Sequence, residues 1–108
     1  MRPEEAATTR KRIVEILRRS SRPLTVDEIA RELGTDIAAE DVYEHLVHAA
    51  RSLRARSGGR EILVMEPPYC KKCGYVFKNL NRPRKPSRCP RCKGEWVAAP
   101  RFTIVRRG

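Results

Sequence analysis

The residues able to do chemistry are gathered in one stretch. Tyr69–Trp96 reads Y-C-K-K-C-G-Y-V-F-K, a basic proline-containing loop, then R-C-P-R-C-K-G-E-W. It holds all four cysteines of the chain, Cys70, Cys73, Cys89 and Cys92. They form two C-x-x-C pairs with 15 residues between Cys73 and Cys89, the spacing of a four-cysteine zinc site. Two residues between cysteines let a tight turn aim both sulfurs at one ion, and two such turns complete a tetrahedron. Gly74 and Gly94 suit turns that need positive φ or backbone amides close to the sulfurs. Zinc is the first choice of metal, with iron as the alternative because four thiolates suit it too. A disulfide framework needs an oxidising compartment, and the M-R-P-E-E-A-A start has no apolar h-region. Thioredoxin-type chemistry uses one C-x-x-C near a βαβ pattern, not two pairs closing on each other. A four-thiolate site has no open position, so the expected metal is structural and the expected protein is not an enzyme. His45 and His48 are not needed as ligands and are read as surface histidines of one helix face.

The elements that must position this stretch are small. At 108 residues the chain is one or two domains. A lobe of roughly 30 residues buries too little apolar surface to fold without its metal. No apolar run is long enough for a membrane span, and a cytoplasmic protein is expected. The net charge of +11 is unevenly placed. Residues 1–60 carry 12 Lys/Arg and 10 Asp/Glu, a net of +2, whereas residues 61–108 carry 12 against 3, a net of +9. A second half this basic favours a polyanionic partner.

Residues 1–8 read as frayed. A helical pattern then begins near Thr9, with Ile13, Ile16 and Leu17 on one stripe. Pro23 ends it. In T-V-D-E-I-A-R-E-L-G, Thr25 and Glu28 form a capping box, Val26, Ile29, Ala30 and Leu33 are the buried face, and Gly34 is the C′ stop. A third helix over about Ala38 to Arg54 aligns Val42, Leu46, Ala49, Ala50 and Leu53. Glu61–Glu66 and Arg101–Arg107 read as strands, with Met65 and Phe102 as core. Three helices with a tight second turn followed by two strands form a winged helix-turn-helix. Pro67, Pro68 and Pro100 mark the borders of the metal lobe. The expected architecture is therefore α+β. A winged helix-turn-helix domain spans 9–66 plus 101–107, and a zinc ribbon over 67–100 is inserted at the wing. The rival layout is tandem, with 101–107 as a ribbon strand.

The order of these elements, with A-R-E-L-G, E-D-V-Y-E-H-L, Y-C-K-K-C-G-Y-V-F-K, S-R-C-P-R-C-K-G-E-W and P-R-F, resembles a small archaeal family. Its members are predicted transcriptional regulators that join a winged helix-turn-helix to a rubredoxin-like zinc ribbon. The resemblance covers nearly the whole chain from about Thr9. It implies zinc ligation by Cys70, Cys73, Cys89 and Cys92, and a DNA-binding role.

Double-stranded DNA is accordingly the expected partner, with RNA and a protein partner as alternatives and dimerisation left open. The third helix begins with Asp36, Glu40, Asp41 and Glu44, which phosphates repel and which the helix dipole favours for its own reasons. Arg51 and Arg54 on that helix are candidate phosphate contacts, and the ribbon carries the stronger set. Lys71, Lys72, Arg82, Arg84, Lys85 and Arg88 surround the cysteines, several on the loop N-R-P-R-K-P-S-R, which its prolines hold extended. Tyr75, Phe77 and Trp96 are read as packing of the ribbon, with base stacking as the alternative.

Overall fold

The capping box forms as the sequence specifies it. Thr25 Oγ1 accepts from the Glu28 N–H, and the Glu28 carboxylate accepts from the Thr25 N–H at 3.0 Å. Arg22 adds an ion pair to the same carboxylate. These contacts, the Arg22 guanidinium first, pull Glu28 down to about 2. The computed structural model describes residues 2–107. Its elements in chain order are α1 (Pro3–Arg19), β1 (Leu24–Thr25), α2 (Val26–Leu33), α3 (Ala39–Arg56), β2 (Glu61–Glu66), β3 (Tyr69–Cys70), β4 (Val97–Ala98) and β5 (Arg101–Arg106).

The helix α1 begins at Pro3, six residues before the apolar stripe. The reading of residues 2–8 as frayed is therefore corrected, and Met1 lies outside the described residues. Proline at the first helical position has no N–H to leave unpaired, and Glu4 and Glu5 sit at the positive end of the dipole. At α2 the stop is Gly34, left-handed at φ 70. Arg12 Nη2 donates to the Leu33 carbonyl at 2.8 Å and satisfies one of the last acceptors of that helix.

The three helices share one core with a three-stranded sheet. Ile13, Ile16 and Leu17 of α1 meet Val26, Ile29 and Leu33 of α2, Val42 and Leu46 of α3, Leu24 of β1 and Phe102 of β5. Leu63, Met65 and Ile104 pack against this cluster from the sheet. The strand order is β1-β5-β2 and both pairings are antiparallel. The centre of the sheet is thus its last strand in sequence. Along β2 the register runs from Glu61↔Arg106 to Glu66↔Arg101, and on the other edge Leu24 pairs with Phe102. Arg18 grips Glu61 with two hydrogen bonds, at 2.7 and 3.0 Å, which ties the end of α1 to the start of β2. The second sheet, β3-β4, belongs to the cysteine lobe. No helix among the described residues is long and apolar enough to cross a membrane.

His45 is buried, at 6% exposure, and not on the surface as expected. It faces α1, where Arg10 Nε donates to its Nδ1 at 3.2 Å. A guanidinium has no acceptor, so this contact requires a neutral ring with the proton on Nε2. Burial is the largest cause lowering the His45 pKa below the usual histidine range. Arg10 and His48 push the same way, and Asp41 and Glu44 oppose them. His48 lies on the outer side of α3, within 3.5 Å of Glu44.

Two outcomes follow. Phe102 is 1% exposed and its ring meets the Tyr43 ring edge-on at 6.2 Å. Phe102→Ala is expected to cost about 3–5 kcal/mol in urea unfolding at fixed zinc. His45 is neutral when folded, so the unfolded chain takes its proton first. Its stability contribution is complete above about pH 6.5 and is lost as pH falls through that value towards the lower folded pKa. Urea midpoints measured down to about pH 5.5 should fall for the wild type and fall less for His45→Gln.

Candidate metal centre and nucleic-acid interface

The two C-x-x-C turns are built alike. In the first, the Gly74 N–H donates to the Cys70 carbonyl at 2.9 Å and the Cys70 N–H to the Tyr75 carbonyl at 2.8 Å. In the second, the Lys93 N–H donates to the Cys89 carbonyl at 2.9 Å and the Cys89 N–H to the Gly94 carbonyl at 2.8 Å. The residue after each second cysteine is left-handed, Gly74 at φ 82 and Lys93 at φ 64. The second turn therefore takes its positive φ at a lysine. Gly94 serves the other purpose. Its N–H approaches Cys92 Sγ at 3.4 Å, and a Cβ there would stand 3.3 Å from that sulfur.

These turns bring Cys70, Cys73, Cys89 and Cys92 together, with all four sulfurs within 4.8 Å of one another. Cys70 and Cys92 are 3.6 Å apart across the two turns, and so are Cys73 and Cys89. All four are free thiols. A tetrahedral zinc at its ordinary sulfur distance sets sulfur–sulfur edges of about 3.8 Å, so the cluster fits the ion. Cys92 N–H and Gly94 N–H point at Sγ of Cys89 and Cys92, the arrangement that stabilises thiolates. The thiols are driven apart by their crowding. The Cys73 N–H leads in pulling Cys70 down to about 6. The Tyr75 N–H favours the Cys73 thiolate, yet burial and the neighbouring sulfurs push that thiol up to about 11. Four adjacent thiolates require a cation among them, and a divalent ion supplies that charge.

The lobe is walled by prolines and aromatics. Pro68 and Pro100 are fully buried at its entry and exit, and the Pro68 carbonyl accepts from the Phe77 N–H at 3.0 Å. Tyr75 and Phe77 form a T-shaped pair at 5.0 Å, as the packing reading expects. Trp96 does not pack. It is 62% exposed, with Lys71 Nζ 5.7 Å from its ring centre.

The candidate cations separate into distinct places. Lys71 and Lys72 stand exposed on the first turn, and Arg84 and Lys85 stand exposed on the loop between the turns. Arg82 reaches the helical body, where its Nη2 donates to Glu44 of α3 at 2.7 Å. Arg88 serves the ribbon itself, with Nε donating to the Lys93 carbonyl at 3.2 Å. That contact braces the left-handed residue of the second turn. Arg51 lies two turns after Glu44 on α3, rotated from it by about 20°, and so shares its stripe. It lines an open groove between α1 and α3 with Arg10, Lys11 and Arg56. Arg54 is exposed and lies off that stripe. The Glu44–Arg82 contact was not anticipated. A carboxylate on an outer helix position and an arginine on a distant loop give no pattern along the chain.

The cysteine cluster carries a direct test. Elemental analysis of the purified protein should find one zinc per chain. Cobalt exchanged into it should give the absorption bands of a tetrahedral thiolate site. Removing the ion with a chelator, or Cys89→Ala, should unfold residues 67–100, read as loss of dispersed amide signals from that segment.

The comparisons with known proteins agree with this geometry. The family model for the PF0610-like N-terminal domain matches residues 8–63. The model for the PF0610 rubredoxin-like zinc beta-ribbon domain matches residues 67–107. The chain is also similar to a solved structure, the solution NMR structure of protein PF0610 from Pyrococcus furiosus. The identity is 33%, the match covers 94% of this chain and 91% of that one, and the TM-score is 0.69. No curated protein matches. On both of its parts the chain belongs to the PF0610-like family, with an N-terminal helical domain of that type followed by a rubredoxin-like zinc ribbon.

Proposed function

We propose that this protein is a DNA-binding transcriptional regulator whose zinc ribbon supplies phosphate contacts. The contact between Arg82 and Glu44 carries this reading. It sets the exposed basic loop of the ribbon beside the outer face of α3, so that one duplex can meet both. On this reading residues 9–66 and 101–107 form a winged helix-turn-helix, α3 is the recognition helix and β2 and β5 are the wing. The ribbon over 67–100 then stands where the tip of the wing would be. Support comes from three helices packed on a sheet of order β1-β5-β2 and from the Glu66↔Arg101 register at its end. The protein is a binder and not an enzyme, and its four thiolates serve as ligands.

The charge distribution assigns the work. The first turn of α3 presents Glu40 and Asp41, both exposed. Carboxylates at that place repel the backbone, and one reads a base only by accepting from a cytosine amino group. Phosphate anchoring therefore falls to Lys71, Lys72, Arg82, Arg84 and Lys85, with Arg51 completing the stripe on α3. Direct readout by the helix is secondary. The acidic start of α3 favours a second reading, a protein-interaction adaptor that docks a basic partner there.

Fluorescence anisotropy with a labelled duplex, over a range of salt, tests the first reading. Replacing Arg82, Arg84 and Lys85 together by serine should weaken binding and flatten the slope of log K against log salt by about 2.7, at roughly 0.9 per lost phosphate contact. An unchanged affinity and slope rejects the ribbon as the anchor. A basic polypeptide partner that binds in competition with duplex, and loses affinity with Glu40→Gln and Asp41→Asn, supports the adaptor.

A further inference from the structure

Among the described residues, four large hydrophobic side chains are exposed: Tyr69, Val76, Trp96 and Val105. Three of them stand on one face of the ribbon. The register fixes this. Cys70 pairs with Val97 and both are turned inward, at 0% and 4% exposure. Side chains alternate along a strand, so the residues flanking that pair are turned outward. These are Tyr69 opposite Ala98, and Lys71 opposite Trp96, where the Lys71 N–H donates to the Trp96 carbonyl at 2.8 Å. Val76 bridges Tyr69 from the other side. Tyr69 and Val76 also line a cleft of about 240 Å³ with Pro67 and Arg101.

The result is a rigid platform. Tyr69 and Trp96 are diagonal neighbours across two strands, a separation of roughly 7–8 Å, with a lysine between them. The backbone under the platform is held by the metal turns, so ordering these rings on binding costs little. An exposed tryptophan in a lobe this small contributes nothing to the core there. An apolar face takes an apolar occupant, and the surroundings choose which one. Residues 61–108 hold 12 Lys/Arg against 3 Asp/Glu, so the occupant that complements both the rings and the charge is a polyanion with flat apolar surfaces. In a duplex those surfaces are already stacked on one another. In an unpaired strand they are free.

We propose that this face binds single-stranded nucleic acid, with successive unpaired bases stacked on Trp96 and Tyr69 and with Lys71 and Arg101 meeting the backbone. It rests on the nucleic-acid reading above and adds a second substrate form. A regulator equipped this way grips a duplex through the basic loop and an opened strand through the ribbon face. Stacking on an aromatic ring tolerates any base, so the site carries little sequence preference.

The chain has one tryptophan, so its emission reports this site alone. Zinc-loaded full-length protein should be titrated with oligothymidylate and, separately, with a duplex. Saturable quenching of Trp96 by the single strand is expected. Anisotropy of labelled oligothymidylate should show Trp96→Ala weakening the single strand about tenfold or more, Trp96→Phe retaining most of the affinity, and the duplex affinity unchanged in both. Matching zinc content and circular dichroism exclude misfolding of the variants. Unaltered single-strand binding in Trp96→Ala, alongside duplex binding that persists, overturns the platform and leaves the regulator reading standing. Binding of neither form overturns both.

Discussion

The structure depends on the pairing of β5 with strands that precede it by the whole length of the ribbon. Phe102 is the largest fully buried side chain of the helical core, and it sits on the central strand of the sheet. Its partners Leu24 and Met65 come from β1 and β2. The core therefore cannot close until the chain has travelled out through the cysteine lobe and back. Everything between Glu66 and Arg101 is a loop from the point of view of that core, and closing a flexible loop of this size costs about 3 kcal/mol before its constant term. The metal turns reduce that cost. Once the four sulfurs share an ion, β3 and β4 pair and the two ends of the lobe leave side by side, already set at the Glu66↔Arg101 spacing. Metal binding and the burial of Phe102 are linked through the backbone even though the ion lies outside the helical core.

The same coupling explains why the lobe tolerates its own charge. Nine more cations than anions lie in residues 61–108, and they would repel one another in a flexible segment. The metal–thiolate core carries negative charge and holds them on a fixed frame. Two of the arginines are drawn into structure. Arg88 braces the left-handed Lys93 turn, and Arg82 pairs with Glu44. An exposed ion pair such as Arg82–Glu44 adds at most about 1 kcal/mol. Its value lies in orientation, since it is a direct link from the ribbon loop to α3. Lys71, Lys72, Arg84 and Lys85 remain facing solvent.

What the sequence disclosed followed the range of each interaction. The capping box, the Gly34 stop and the cysteine turns are contacts between residues five or fewer apart, and their residue types were sufficient. The family relation placed the ribbon after the helical domain in the same way. The start of α1 was legible in principle, since Pro3, Glu4 and Glu5 are the ordinary opening of a helix, but the absence of a capping side chain at Arg2 and of an apolar stripe before Ile13 concealed it. His45 was hidden because its partner Arg10 lies on another helix, and a histidine three residues from another suggests a shared outer face. The strand β1 is two residues long and exists only because β5 supplies a partner.

Trp96 shows the limit most clearly. A rule that small lobes bury every aromatic they have holds for Tyr75 and Phe77, which meet each other. It fails one strand away, where alternation turns Val97 inward and so must turn Trp96 outward. The pattern Y-C-K facing E-W-V contained this information, because a ligand cysteine fixes the inner side of its strand and the register then decides every neighbour. Reading inward from the cysteines by a period of two places Tyr69 and Trp96 on the same outer face. The metal therefore does more than hold the lobe together. By fixing which way Cys70 points, it determines which aromatic rings the ribbon shows to solvent.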